Sequence, residues 1–229
     1  MSTYTDKTWG VPITFGNPNF DLRQESEWRR FYKDNGYVVI RDIISSFDTE
    51  KLKNTFLTDI ENMVENGIKR DDPSTFTKPN RPGVCSVGII KDPDSGFAHS
   101  LTAYTARKLS TPFFKTLYHT DKLQSSFDGG SIYPNWKFLP NERTKPSWLH
   151  IDQGHSLQGI DCSQTLLTLL PANETTGSLL VVPKSHKRHP EILGSIPYTK
   201  KNYIPLNKDN EIHKKIVEDT GLHLVSAPA

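Results

Sequence analysis

Between residues 24 and 35 the aromatic side chains Trp28, Phe31 and Tyr32 recur at i, i+3 and i+4, the spacing that places them on one face of a helix. Gly36 ends that run, and Tyr37-Val38-Val39-Ile40 has the apolar, β-branched composition of a short strand. A second helix is predicted from about Thr49, with Asp48 as its N-cap and Leu52, Phe56, Ile60, Met63 and Val64 as a core-facing stripe. Asn66-Gly67 supplies a left-handed stop. From Lys69 to Gly96 the chain is rich in Asp, Pro, Lys and Gly and reads as a surface excursion, interrupted by a strand-like run at Val84 to Ile90. His99 to Phe127 predicts helix in two pieces, broken at Ser110-Thr111-Pro112, and Gly129-Gly130 closes the helical half.

Beyond residue 130 the pattern changes to short apolar runs separated by turn residues: Ser131 to Leu139, Trp148 to Asp152, Ser163 to Leu170, Gly177 to Val182 and Leu222 to Ser226. In Leu166-Leu167-Thr168-Leu169-Leu170 both faces are apolar except at Thr168, which predicts a central strand. Pro190 to Lys215 is polar and loop-like, and no internal repeat is visible. Helices followed by short strands predict a β-sheet core with helices packed outside, in an α+β or mainly β fold.

A chain of 229 residues with 34% hydrophobic side chains supports one sizeable core, so the expected organisation is an N-terminal arm (1–23) followed by a single domain (24–229). The 28 basic and 26 acidic residues nearly cancel and are scattered, which argues against a nucleic-acid partner. Residues 1–20 are polar, with no signal peptide and no apolar run of membrane-spanning length, so a soluble, cytoplasmic protein with no membrane partner is expected. Cys85 and Cys162 are too few for a disulfide framework and read as reduced thiols. The sequon Asn173-Glu174-Thr175 has no secretory context and is read as chance.

The chemistry centres on His150-Ile151-Asp152. Residues i and i+2 of a strand share a face, so an imidazole and a carboxylate here can meet one metal ion, and two imidazoles with one carboxylate suit Fe(II). Alone the pair is weak, because in a chain with eight histidines a His-x-Asp arises by chance about half the time. Its neighbours sharpen it. Trp148-Leu149-His150-Ile151-Asp152-Gln153 is followed by Gly177-Ser178-Leu179-Leu180-Val181-Val182-Pro183-Lys184-Ser185-His186-Lys187, and Asp34-Asn35-Gly36-Tyr37-Val38-Val39-Ile40 precedes both. In order and spacing from Gln24 onward these segments resemble the phytanoyl-CoA dioxygenase family, with Lys184 standing where that family usually has Gly.

The resemblance implies a double-stranded β-helix, or jelly roll, flanked by helices, with Fe(II) and 2-oxoglutarate as cofactors and ascorbate as a reductant. It implies a non-haem oxygenase that hydroxylates an unactivated C–H bond of a small organic or acyl substrate using O2. Asp152 favours hydroxylation, since related halogenases lack this carboxylate. Asn135, within Pro134-Asn135-Trp136-Lys137, and Thr168 are implied contacts of 2-oxoglutarate, and Trp136, Trp148 and Gln153 are candidates for the substrate pocket. The family's distal His and its 2-oxoglutarate-binding Arg or Lys follow a segment like Ala227-Pro228-Ala229, where this sequence stops, so the last strands of the jelly roll are expected to be missing too. His223 is the better substitute for the third ligand. His155 would need a tight turn back, and His186 and His189 fall in a turn that binds no metal in the family. His99, His119 and His213 lack a local partner pattern. The basic run Lys184, His186, Lys187, Arg188 and His189 could meet an acyl-CoA phosphate, although a solvated turn is the plainer reading. The alternatives to an active oxygenase are an inactive homologue that binds or scaffolds, a fragment of a longer active enzyme, and a non-oxygenase cupin, which fits the Pro-Lys-Ser-His-Lys segment poorly.

Overall fold

Trp28 is fully buried, and its indole N–H donates to the carbonyl of Leu22, so the first aromatic face folds as its spacing predicts. The helix it belongs to ends at Gly36, whose φ of 81° places it in the left-handed region while its N–H returns to the Tyr32 carbonyl. A computed structural model describes residues 4–81, 89–90, 95–126, 129–133, 138–142, 148–157, 159 and 162–229. In chain order its elements are β1 (Tyr4–Thr5), β2 (Pro12–Phe15), β3 (Asn19–Phe20), α1 (Glu25–Asn35), β4 (Val39–Ile40), α2 (Ser46–Met63), β5 (Ile89–Ile90), α3 (Leu101–Tyr118), β6 (Gly130–Ser131), β7 (His150–Ile151), β8 (Leu180–Val181), α4 (His189–Gly194), β9 (Ile204–Pro205), α5 (Glu211–Thr220) and β10 (Leu222–Leu224). No helix among the described residues is long and apolar enough to cross a membrane.

The chain divides into two compact units, one of Met1–Arg41, Pro146–Leu166 and Pro171–Pro228, the other of Asp42–Lys145 and Leu167–Leu170 with Ala229. In the first unit the N-terminal strands join the last ones. A four-stranded sheet runs in the order β1-β2-β10-β8, with β10 parallel to β2 and antiparallel to β8. Its core gathers Trp9, Val11 and Ile13 with Val182, Ile192, Ile216, Val217 and Leu222. Where β2 turns away at Gly16 the Asn17 side chain takes over, its amide donating to the Ser226 carbonyl at 3.0 Å and accepting from the Ser226 N–H at 2.7 Å.

A second device ties α1 to a one-turn segment at Ser185–Arg188. The Lys184 N–H donates to the Asn35 carbonyl, and His186 Nε2 donates to the Lys33 carbonyl at 2.9 Å. Carbonyls left open by the end of the helix are thereby satisfied from outside it. The His186 ring also occupies the space a β-carbon on Gly36 would need. Thus Gly36 of the Asp-Asn-Gly-Tyr segment and His186 of the Pro-Lys-Ser-His-Lys segment meet directly.

In the second unit α2 is capped by Ser45, whose hydroxyl accepts the Asp48 N–H, so Asp48 is the partner of the cap and not the cap itself. Leu52, Phe56 and Ile60 are buried as the stripe predicts, and Phe56 meets Phe97 edge-on at 5.7 Å between ring centres. Gly130 brings β6 against that aromatic pair, where an added β-carbon would lie 2.7 Å from Phe97. α3 is continuous through Pro112, unlike the two pieces expected. Burial of Ala103, Ser110 and Phe113 along it outweighs the one hydrogen bond that proline removes.

The expected jelly roll is not the fold. The molecule is α+β, and among the described residues the strands form one four-stranded sheet and three two-stranded ribbons, β3-β4, β5-β6 and β7-β9, with no β-helix. Ser163 to Leu170 forms no strand. Leu166 and Leu170 are 58% and 64% exposed, so the two apolar faces that suggested a central strand have no sheets to cover them. The polar-looking stretch Pro190 to Lys215 holds nearly all of α4, β9 and the first half of α5, because the buried stripe His213, Ile216 and Val217 includes a residue that counts as polar. The Val84–Ile90 run is described only as β5, the rest lying outside the described residues, as does Cys85; Cys162 is an exposed free thiol.

Lys184 has φ of 67°, a left-handed conformation that costs a residue with a β-carbon about 1–2 kcal/mol. Lys184→Gly is expected to raise stability by about 1 kcal/mol after the entropy of glycine in the unfolded chain is deducted, read as a higher midpoint in urea. Gly36→Ala is expected to lower it, since the new methyl group meets both the positive φ and the His186 ring.

Candidate metal centre

Leu149 and Ile151 pack against the core of the first unit, and strand alternation turns His150 and Asp152 to the opposite face. β7 is held there by β9, with His150 opposite Pro205 and Ile151 opposite Ile204. His150 Nε2 stands 3.3 Å from Asp152 Oδ2, and the two side chains are 23% and 36% exposed. A bite of this width closes on a divalent ion about 2.1 Å from each atom at an angle of roughly 100°, between the octahedral and tetrahedral values.

The imidazole is oriented from several sides. His150 Nδ1 lies 3.1 Å from the Trp148 carbonyl, which accepts a hydrogen bond when Nδ1 carries the proton and so leaves the Nε2 lone pair for a ligand. The Trp148 ring is stacked on the imidazole at 4.8 Å and 6°, and Tyr203 packs on it at 4.6 Å. Gln164 Nε2 donates to Asp152 Oδ2 at 2.9 Å, a contact that orients the carboxylate. Gly154 follows without room for a side chain, because a β-carbon there would run into the Lys201 carbonyl. The same His–Asp geometry also makes an ordinary partly exposed ion pair when the imidazole is protonated, worth under about 1 kcal/mol.

The third donor is not in place among the described residues. Among the described residues no group of three His, Cys, Asp or Glu side chains is arranged to hold a metal. His223 is buried in the four-stranded sheet, its Nδ1 2.9 Å from the Thr14 hydroxyl and its ring stacked on Tyr37 at 5.6 Å. His155 is held between the Leu193 carbonyl and the Thr199 N–H, and His189 Nε2 donates to the Gln153 carbonyl at 2.7 Å. Gln153 itself donates to the Gly159 carbonyl. Thr168 is half-buried and belongs to the second unit, while Asn135 and Trp136 lie outside the described residues.

Beside the pair lies a cleft of about 250 Å³ walled by Trp9, Trp148, Leu149, Tyr203, Pro205 and Leu206. Thr8, Asn207, Lys208 and Asp209 complete its lining. The buried indole N–H of Trp9 has no acceptor among the described residues. Trp9, Tyr203 and Gln164 did not stand out in the sequence. Tyr203 and Gln164 are brought to His150 and Asp152 by the β7-β9 pairing and by a loop, neither of which has a local motif.

Compared with protein-family models, with curated proteins and with solved structures, the chain finds no match in any of the three.

Two buried histidines near these elements give the unit a pH dependence. Burial lowers the pKa of His213, which accepts the Asn207 N–H on Nδ1 and contacts Ser195 through Nε2. Burial also lowers that of His223. A histidine whose folded pKa lies below the unfolded value of about 6.5 contributes stability that is complete above that pH and is lost as the pH falls through and below it. The melting temperature is therefore expected to drop from pH 7.5 to pH 5.5, and to drop less in His213→Gln.

Proposed function

We propose that His150 and Asp152 are two ligands of a divalent metal centre in a non-haem Fe(II)/2-oxoglutarate-dependent oxygenase that hydroxylates a small organic substrate. The observation that carries this reading is the 3.3 Å approach of His150 Nε2 and Asp152 Oδ2 on the outer face of β7, with Nδ1 already engaged by a carbonyl. It is supported by the close packing of Gly36 and His186, from the two other segments that carry the family resemblance. It does not rest on a jelly roll, which the described residues do not form.

Fe(II) with 2-oxoglutarate would supply the activation of O2. The chain's own part is to hold and orient. His150 would offer the Nε2 lone pair, Asp152 an oxygen fixed by Gln164, and Trp148 and Tyr203 would keep water from the imidazole faces. A second reading, a homologue that binds a ligand without turnover, is favoured by one observation: no third protein donor joins the pair among the described residues.

Cobalt(II), titrated as an optical probe, tests the centre. The protein is expected to bind it at least tenfold more tightly than Asp152→Ala, with Gln164→Ala in between. Equal binding by all three would sink the metal reading. Succinate formed from 2-oxoglutarate with Fe(II) under air separates the two readings: yields above those of Asp152→Ala mean turnover, and equal background yields mean binding alone.

A further inference from the structure

We propose that the cleft walled by Trp9, Trp148 and Tyr203, beside the rings packed on His150, is a binding site for a compact molecule with a flat, apolar ring, not for an acyl-CoA. The cleft and its ligand class stand on observations separate from the oxygenase reading.

The first is position. Trp148 and Tyr203 both line the cleft and both lie against the His150 ring, at 4.8 and 4.6 Å, so an occupant touches the same side chains that touch His150. The second is size and surface. At about 250 Å³ the cleft falls below the usual range of roughly 300–1,000 Å³ for drug-sized ligands. The exposed Trp148 indole and Tyr203 phenol, with the small accessible part of the core residue Trp9, favour a planar partner in stacked or edge-on contact.

The third concerns what a coenzyme A thioester would need. Its phosphates require free cations, and the basic turn that could have met them is already committed. His186 donates to the Lys33 carbonyl, Lys187 lies 3.4 Å from Asp34, Arg188 pairs with Glu191 and Asp219, and His189 donates to the Gln153 carbonyl. Of that run only Lys184 lacks a side-chain partner among the described residues, and the cleft itself adds the single cation Lys208 against the several charges of the coenzyme's phosphates. The thioester, with its nucleotide and pantetheine arm, also far exceeds the cleft.

Nuclear magnetic resonance on metal-free protein carrying ¹³C-labelled histidine tests this, with the His150 Cε1–Hε1 signal assigned by its loss in His150→Asn. Indole, a flat neutral probe, is expected to shift that signal saturably at millimolar concentration. Tyr203→Ala should weaken the binding at least tenfold. Thr8→Trp, which fills the cleft from an exposed position and leaves the core untouched, should do the same. Octanoyl-CoA at equal concentration should leave the signal in place. The proposal is overturned if indole causes no shift, if either variant binds it as tightly as the unaltered protein does, or if octanoyl-CoA moves the signal. Because no metal is present, these outcomes are independent of the cobalt titration.

Discussion

The burial of Leu149 and Ile151 is the constraint on which the candidate centre depends. Once these two half-buried side chains pack against the core of Val182, Ile216 and Leu222, the geometry of a strand turns His150 and Asp152 to the outer face. Polar contacts then refine what apolar packing has decided. The Trp148 carbonyl selects the proton position on the imidazole, and Gln164 selects the carboxylate oxygen. A slip of one residue between β7 and β9 would exchange the two faces, burying an imidazole and a carboxylate where isoleucine now sits. The cost of burying those groups without partners is several kcal/mol, so the hydrophobic core guards the register of the polar site.

The rest of the first unit is assembled from segments far apart in the chain. β2 and β10 pair across more than two hundred residues, and the end of α1 is finished by side chains and backbone from the turn after β8. Such pairings carry a high cost in loop closure, which the buried aromatic and branched residues around Trp9 and Ile13 offset. The second unit is more local, with α2 and α3 in mutual contact over a core of Phe56, Ile60 and Phe97.

What could be read from the sequence follows from this difference. α1, the stripe of α2, and the outward pairing of His150 with Asp152 are set by residues within one turn or two strand positions, and their spacing announces them. The order of the sheet was hidden, because nothing in Pro12 to Phe15 says that its partner is Leu222 to Leu224. The run Ser163 to Leu170 misled because a stretch apolar on both faces describes surfaces that could be buried, while burial itself needs partners that sequence spacing does not supply. α5 was hidden by its buried histidine, which a hydropathy pattern counts on the wrong face. Tyr203 could not be found at all without the β7-β9 pairing that delivers it to His150.

Asn17 has a consequence of its own. Its carboxamide presents a carbonyl oxygen and an N–H group with the spacing of a peptide unit, and both are used by one residue, Ser226. The side chain acts as a false rung added to the β2-β10 ladder after the backbone has left it. A slide of β10 past β2 would break both bonds together, so the amide works as a latch that recognises one alignment and rejects its neighbours. Aspartate, equal in size, lacks the donor and would engage only half of it.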